Sequence, residues 1–462
     1  MKRILACCCV LGTLALASCT VGPKYRRPPT PVPPEFRGAS APAEQRAASI
    51  ADLPWWEVFR DTALQELIRT SLQNNYDLRL AVERVTAARA QLGITRSAQY
   101  PDVIGNATAS SAKNDPTVKS NFFTVAPDAV FQLDLFGGLR KANEASRAQL
   151  LATEDARQNV ILTLVADVAA DYFQLLTLDA QLEVARNTVK AQEESLRLTQ
   201  LRLQHGTATR VEVLQAQQVL DAANAQIPDL ERQIAQTENA LNLLAGRLPD
   251  SIRRGQLLAE QYMPPQVPAG LPSALLERRP DIRAAEQNLI AANAEIGVAR
   301  AAFFPSITLT GSAGGAFGRA TSTGSGTPTQ FGVWSYAANI TQPIFNAGRL
   351  RNNLRVTESQ QRQAVLAYQK AIQSAVGEVS DALTGYEKLR EVRARQESSV
   401  RDLRESVQLS TERYQAGITA YYEVLDAQRS LFSAEQGLVQ ARGNELQSLL
   451  TLYKALGGGW KQ

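Results

Sequence analysis

Two kinds of hydrophobic spacing share this chain. From Val103 the pattern has period two: Val103, Gly105, Ala107 and Ala109 interleave with Ile104, Asn106, Thr108 and Ser110. After a polar stretch, Lys113 to Ser120, the alternation resumes, with Phe131, Leu133 and Leu135 against Gln132 and Asp134. This predicts a β-hairpin between Asp102 and Phe136 with one apolar and one polar face. The pattern returns later. Ser306, Thr308, Thr310 and Ser312 oppose Ile307, Leu309 and Gly311; a Gly/Ser/Thr loop runs from Gly314 to Thr329; then Trp334, Tyr336, Ala338 and Ile340 oppose Ser335, Ala337, Asn339 and Thr341. An apolar face with aromatics near the strand ends reads as membrane-barrel strand. A half-buried soluble sheet gives the same alternation.

The rest is helical. Trp55 and Trp56 open a helix expected to reach about Gln99, where Pro101 stops it. Leu139 to His205 holds neither Gly nor Pro, and Arg349 to Ala416 holds no Pro. At ~1.5 Å per residue each would make a helix of about 100 Å, far beyond the ~11–12 residues of an average globular helix. Each ends at a Gly (Gly206, Gly417), after which a second helix returns, over Val211 to Ala245 and Tyr421 to Leu456. Their faces are rich in Ala, Ser, Thr, Gln and Leu, which suits close side-by-side packing; a long soluble coiled coil would look similar.

These elements come twice. Asp77 to Pro101 aligns without a gap on Asp281 to Pro305, matching Arg79 with Arg283, Gly93 with Gly297 and Arg96 with Arg300. Leu135 to Arg140 (LFGGLR) answers Ile344 to Arg349 (IFNAGR), and His205 to Gln217 answers Ala416 to Gln428. A period of roughly 200 residues is too long for a solenoid unit, so the chain is a duplicated half. The expected organisation is a leader at 1–18, a Pro-rich tether at 19–54, a first repeat at 55–247, an irregular connection at 248–280 packed outside the helices with the C-terminal segment, a second repeat at 281–457 and a tail at 458–462. The tether is expected to be extended and poorly packed on its own.

Met1 to Ser18 has the basic start and apolar run of a secretory signal, too short to be a spanning helix. It ends in Leu16-Ala17-Ser18-Cys19, which resembles the lipobox of bacterial lipoproteins. The resemblance implies that Cys19 becomes the first mature residue and carries diacylglycerol and an N-acyl chain; Thr20, rather than Asp, implies passage to the outer membrane. Cys7, Cys8 and Cys9 leave with the leader, so no internal disulfide is expected. Beyond it no apolar run of 18 or more residues is seen, so no spanning helix is expected. Charge is nearly balanced, 49 Lys and Arg against 45 Asp and Glu, which argues against a nucleic-acid partner. One His and no Cys/His cluster give no metal site, and no nucleophile–base set or phosphate loop suggests an enzyme or cofactor.

Four strands cannot close a barrel, and an open edge is not viable in lipid. If these strands enter a membrane, two copies would give eight strands and three would give twelve with room for a passage.

At this point the chain resembles an outer-membrane factor of the TolC/OprM type, in the lipoprotein (NodT-like) branch that serves resistance-nodulation-division (RND) pumps. The lipobox, Val21-Gly22-Pro23-Lys24-Tyr25 with Pro28, Trp55-Trp56, the two hairpin units, Arg413-Tyr414-Gln415-Ala416-Gly417 followed by Leu425-Asp426-Ala427-Gln428, and Leu452 to Trp460 carry the likeness. It implies an α+β membrane protein: a homotrimer whose chains each give four strands to a twelve-stranded outer-membrane β-barrel and long helical hairpins to a periplasmic α-barrel. It implies a passive exit duct for drugs and solutes, fed by an inner-membrane RND pump through a periplasmic adaptor (membrane fusion protein). By the tip motif, Asp426 falls at the family's acidic ring and Tyr422 at its bulky ring. Arg413 and Tyr414 fall where inter-helix hydrogen bonds or ion pairs hold the gate shut. Gly206, Thr207, Gly417 and Ile418 mark the tips where the adaptor would dock.

Other readings stand beside these. Asp426 could be a surface carboxylate paired with Arg429, Tyr422 turn packing, and Arg413 a solvated charge. The same duct could serve type I protein secretion or metal-ion efflux, although Met1 and Met263 are the only methionines. A structural periplasmic spacer or adaptor lipoprotein is the reading from another class.

Overall fold

A computed structural model describes residues 20–30, 33–37, 50–115, 118–264, 270, 272–322 and 329–458. The leader and Cys19 lie outside the described residues, as does Trp460. The first repeat holds α1 (Trp55–Val58), α2 (Thr62–Asn74), α3 (Tyr76–Ser97), β1 (Asp102–Asp115), β2 (Val118–Leu133), α4 (Gly138–Gln204) and α5 (Arg210–Leu244). After the short α6 (Leu275–Arg278), the second holds α7 (Pro280–Ala301), β3 (Ser306–Ser322), β4 (Thr329–Thr341), α8 (Arg349–Gln415) and α9 (Tyr421–Ala455). The duplication is metrical. α3 and α7 have 22 residues each, α4 and α8 have 67, and α5 and α9 have 35.

Four helix ends show why. Thr207, Arg247, Ile418 and Gly458 each send their amide back to the carbonyl five residues earlier, at Arg202, Asn242, Arg413 and Tyr453. The residue before each is a glycine with positive φ: Gly206, Gly246, Gly417 and Gly457. This is the Schellman ending, which needs a left-handed residue that only Gly adopts without strain. Gly206 pairs with Gly417 and Gly246 with Gly457 at one constant spacing, which Gly137 and Gly348 share. That spacing exceeds the one matching LFGGLR to IFNAGR by two residues. Ala347 and Gly348, both with positive φ, lie just ahead of α8.

Three expectations need correction. The first helix is not continuous to Gln99. Phe59 leaves it extended, buried Asp61 caps Ala63 and Leu64, and Asn75 caps Leu78, so each polar side chain starts a new helix. The strands run through most of the expected loops: β1 and β2 pair up to Asp115↔Val118, and β3 reaches Ser322, because small polar residues fit a ladder as well as a turn. A stretch inside α4 is as apolar as a membrane span, with mean hydropathy 1.5, although no such run was expected; two thirds of it (67%) is buried within the chain, which satisfies it as a core helix.

The chain divides into two compact units. One comprises the described residues of 1–30, 83–155 and 284–370; the other those of 31–82, 156–283 and 371–462. The first holds the sheet, an antiparallel meander in the order β1-β2-β3-β4. The start of the tether also packs there, by contacts to other elements. Val21 N donates to Phe136 O (3.1 Å), Asn293 Nδ2 to Pro23 O (3.1 Å), and Tyr25 and Arg27 both donate to the buried Glu286 carboxylate (2.9 and 2.6–2.7 Å). A buried carboxylate needs such partners, and the tether supplies them.

The second unit has a polar knot at Asp61, which is fully buried. Besides the two cap amides it accepts from Tyr172 Oη (3.1 Å), Gln256 N (2.9 Å) and Gln261 Nε2 (2.9 Å). Arg254 clamps Asp179 and Glu238, and Tyr386 Oη donates to Pro264 O at 2.6 Å. The connection between the repeats is thereby pinned to α2, α4, α5 and α8. The return helices dock alike: Asn75 Nδ2 donates to Leu244 O and Arg279 Nη1 to Ala455 O, each 3.0 Å, at the last residue of α5 and of α9.

Candidate periplasmic gate

The α4–α5 and α8–α9 turns bring together most of the residues expected at the tips. Gly206 and Gly417 have φ +72° with open space around them. Thr207 is fixed by its hydroxyl to Arg202 O (3.1 Å), and Ile418 projects outward, 68% exposed. Behind the turns lies an apolar cluster: Val189 and Leu196 of α4; Val213, Ala216, Val219, Leu220 and Ala223 of α5; Tyr421, Val424 and Leu425 of α9.

This packing fixes the face of α9. With Tyr421, Val424 and Leu425 turned inward, Tyr422 and Asp426, one helical turn apart, face outward together. Tyr422 is 58% exposed. Asp426 is exposed and makes no hydrogen bond or ion pair among the described residues. Arg429, its alternative partner, donates instead to Gln218 Oε1 (3.3 Å). The pair thus presents an aromatic ring and an unpaired carboxylate on one surface.

Arg413 and Tyr414 separate. The Arg413 side chain is exposed and makes no bond within the described residues; only its carbonyl is used, by Ile418 N (2.9 Å). Tyr414 turns inward. Its ring lies 5.1 Å from that of Tyr421, and the Arg202 guanidinium sits 4.7 Å above it. Within one chain Tyr414 thus makes an aromatic and a cation–π contact, worth about 0.5–2 kcal/mol.

The outer membrane efflux protein family model matches residues 67–247 and 271–458. The chain belongs to the outer membrane efflux protein family. Among its relatives, the cation efflux system protein CusC of Escherichia coli O6:H1 is 37% identical over 451 residues, 97% of each chain. The solvent efflux pump outer membrane protein SrpC of Pseudomonas putida is 38% identical over 464 residues, 98% of this chain and 97% of its own. The open-state crystal structure of the MtrE outer membrane channel of Neisseria gonorrhoeae superposes with a TM-score of 0.86 at 35% identity, covering 96% of this chain and 99% of that one. This family member is an outer-membrane efflux channel protein.

Within this efflux protein, a clasp between hairpins escaped the sequence reading. Tyr421 Oη and Ser195 Oγ are 2.8 Å apart, and Gln192 Nε2 donates to Gln428 Oε1 at 3.1 Å. Beside it lies a cavity of about 510 Å³ lined by Ser195, Arg202, His205, Tyr414, Tyr421 and Gln428. The tandem Tyr421-Tyr422 was the available signal: adjacent helix residues cannot share a face, so one had to turn inward.

Proposed function

We propose that three copies of this chain close a twelve-stranded barrel in the outer membrane and a helical duct in the periplasm. The observation that carries this is the sheet itself. β1 and β4 are both open edges within the chain, and their side chains are exposed almost throughout. Such edges are untenable in lipid unless another copy pairs with them. The duct is passive. An inner-membrane RND pump supplies the energy, and a periplasmic adaptor docks at the tips around Gly206, Thr207, Gly417 and Ile418. Acyl chains on Cys19 add a second hold on the membrane, and no other cofactor is needed.

Three Asp426 carboxylates around a narrow axis would attract cations and repel anions. Three Tyr422 rings, one turn tipward, would obstruct the opening. Arg413, exposed and unpaired within the described residues, is available to bond across a subunit boundary while the gate is shut. The cargo is small molecules. CusC is named for cations and SrpC for solvents, at nearly equal identity to this chain, so the pump selects what enters. With two methionines in all, the chain offers little soft ligation for a metal cargo.

The test is single-channel conductance of the purified protein in a planar bilayer. Wild type should give small cation-selective steps. Tyr422→Ala should enlarge them, and Asp426→Ala should both enlarge them and reduce the selectivity. Unchanged conductance in both variants would remove these residues from the gate. A soluble, non-conducting protein would remove the channel.

A further inference from the structure

The internal repeat contains a template for the contact between subunits. β1 pairs with β2 from Asp102↔Val130, and β3 pairs with β4 from Ser306↔Thr341. The two hairpins therefore superpose with Asp102 on Ser306 and Val130 on Thr341. Between them lies the seam joining one repeat to the next, β2 with β3, in the register Leu133↔Ile307, Val130↔Thr310 and Ala129↔Gly311. If successive repeats meet alike around a closed barrel, the β4 edge meets the β1 edge of the next copy as β2 meets β3.

We infer that β4 pairs antiparallel with β1 of the partner subunit in the register Ile340↔Ala107, Thr341↔Asn106 and Ile344↔Val103. This rests on the closed-barrel reading above and adds to it the residues that meet. Face matching agrees. Ile340 and Ile344 belong to the same alternating set as Trp334 and Tyr336, and Ala107 and Val103 to the apolar set of β1. A one-residue slip would set each apolar face against a polar one. The register also accounts for residues left bare in the single chain. Ile344, 95% exposed and just past the end of β4, gains Val103, 65% exposed, as Leu133 gains Ile307. β4 would lengthen to Ile344, just as β2 runs on to Leu133 along β3.

The adjoining helices carry the same transfer. Phe136 stacks on Phe304, with centroids 4.6 Å apart. Tyr100, the counterpart of Phe304, is 66% exposed and has no ring contact within the described residues; an aromatic partner for it would come from the neighbouring copy. Lys141 lies against Gly297, where an added Cβ would sit 2.8 Å from its Cγ. The counterpart Gly93 has nothing within 4 Å, and Asn352, which matches Lys141, would cover it from the neighbouring copy.

Disulfide trapping tests the register. Ala107 and Ile340 lie on opposite edges of one sheet, three strand spacings or roughly 14 Å apart. A bond between them must therefore join two chains. Membranes carrying Ile340→Cys with Ala107→Cys, treated with copper phenanthroline, should give a non-reducing ladder ending at trimer. Ile344→Cys with Val103→Cys should do the same. Ile340→Cys with Gly105→Cys or Ala109→Cys, the two-residue slips, should give at least ~10-fold less, and each single variant should stay monomeric, which controls for Cys19. A ladder from a slipped pair, or none from either matched pair while native sizing still shows a trimer, would overturn this register and leave the channel standing. Monomers on native sizing of the wild type would sink both.

Discussion

Asp61→Ala removes the acceptor on which the polar knot converges. The loss is additive in kind. The cap on α2 is worth about 1 kcal/mol. Gln256 N, Gln261 Nε2 and Tyr172 Oη then lack their buried acceptor, at about 1–2 kcal/mol each after partial relaxation. The sum is about 4–7 kcal/mol, set against a fully buried oxygen pair with five donors within 3.3 Å. Asp61→Asn keeps one oxygen for the cap but turns an amide NH₂ toward three donors, for about 2–4 kcal/mol. Because unfolding and dissociation are linked in an oligomer, the comparison belongs at fixed protein concentration. The assay is a thermal melt followed by helical circular dichroism, paired with hydrogen exchange over 252–264. Melting should fall in the order wild type, Asn, Ala, and exchange over 252–264 should rise before that of α4. An Ala variant melting with wild type, or a connection that stays protected, would show that the knot does not hold it.

Two further expectations follow from α4 and α9. Burial, and then repulsion from Asp167 one turn away, push the Asp171 carboxyl above its usual range. A raised folded pKa makes the folded state bind more protons than the unfolded one between the two values, so Asp171 costs stability as pH rises through that window; Asp171→Asn should melt higher than wild type at pH 7 and equal to it below about pH 4, and equal melting at both would refute this. Ala420 starts α9 without a side-chain cap, whereas Thr209 and Glu212 form a capping box on α5; Ala420→Thr should add about 0.5–2 kcal/mol of helix stability and lower bilayer conductance, and a conductance equal to wild type would separate this cap from gating.

The sequence made the repeat legible because its signals are local and strong: glycines at helix ends, long stretches without breakers, and period-two alternation. It also indicated which tip residues to examine, through the resemblance. Side-chain partners were less accessible. Asp61 reads as an ordinary polar residue after Phe59-Arg60, and nothing local announces Tyr172, Gln256 and Gln261, which are distant in the chain. Tyr25 and Arg27 gave no sign that they would surround Glu286. Strand ends were misjudged because Ser, Thr and Gly favour turns in isolation and accept a ladder when a neighbouring strand supplies it. The contact of Arg202, on another helix, with the Tyr414 ring was likewise unannounced.

The two hairpins are equal in length but differ at the tip. At matched positions Leu203 stands against Tyr414, Val211 against Tyr422, Gln215 against Asp426 and Thr209 against Ala420. The first hairpin keeps an aliphatic, capped turn. The second gathers aromatics and a carboxylate, and it lacks the cap; the Thr419 hydroxyl beside it is buried without a hydrogen-bond partner among the described residues. Among its ties to the first hairpin, beside the apolar cluster, are the Tyr421–Ser195 hydrogen bond and the Arg202–Tyr414 contact, each on the order of 1 kcal/mol. These are the same size as the missing cap. A shift of about 1.4 kcal/mol changes a two-state population tenfold, so gaining or losing one contact of this size at the tip would shift an open–closed balance several-fold. Moving parts are drawn from the less stable end of a structure. Of the two hairpins, the one that carries Tyr422 and Asp426 is the one whose return helix starts uncapped.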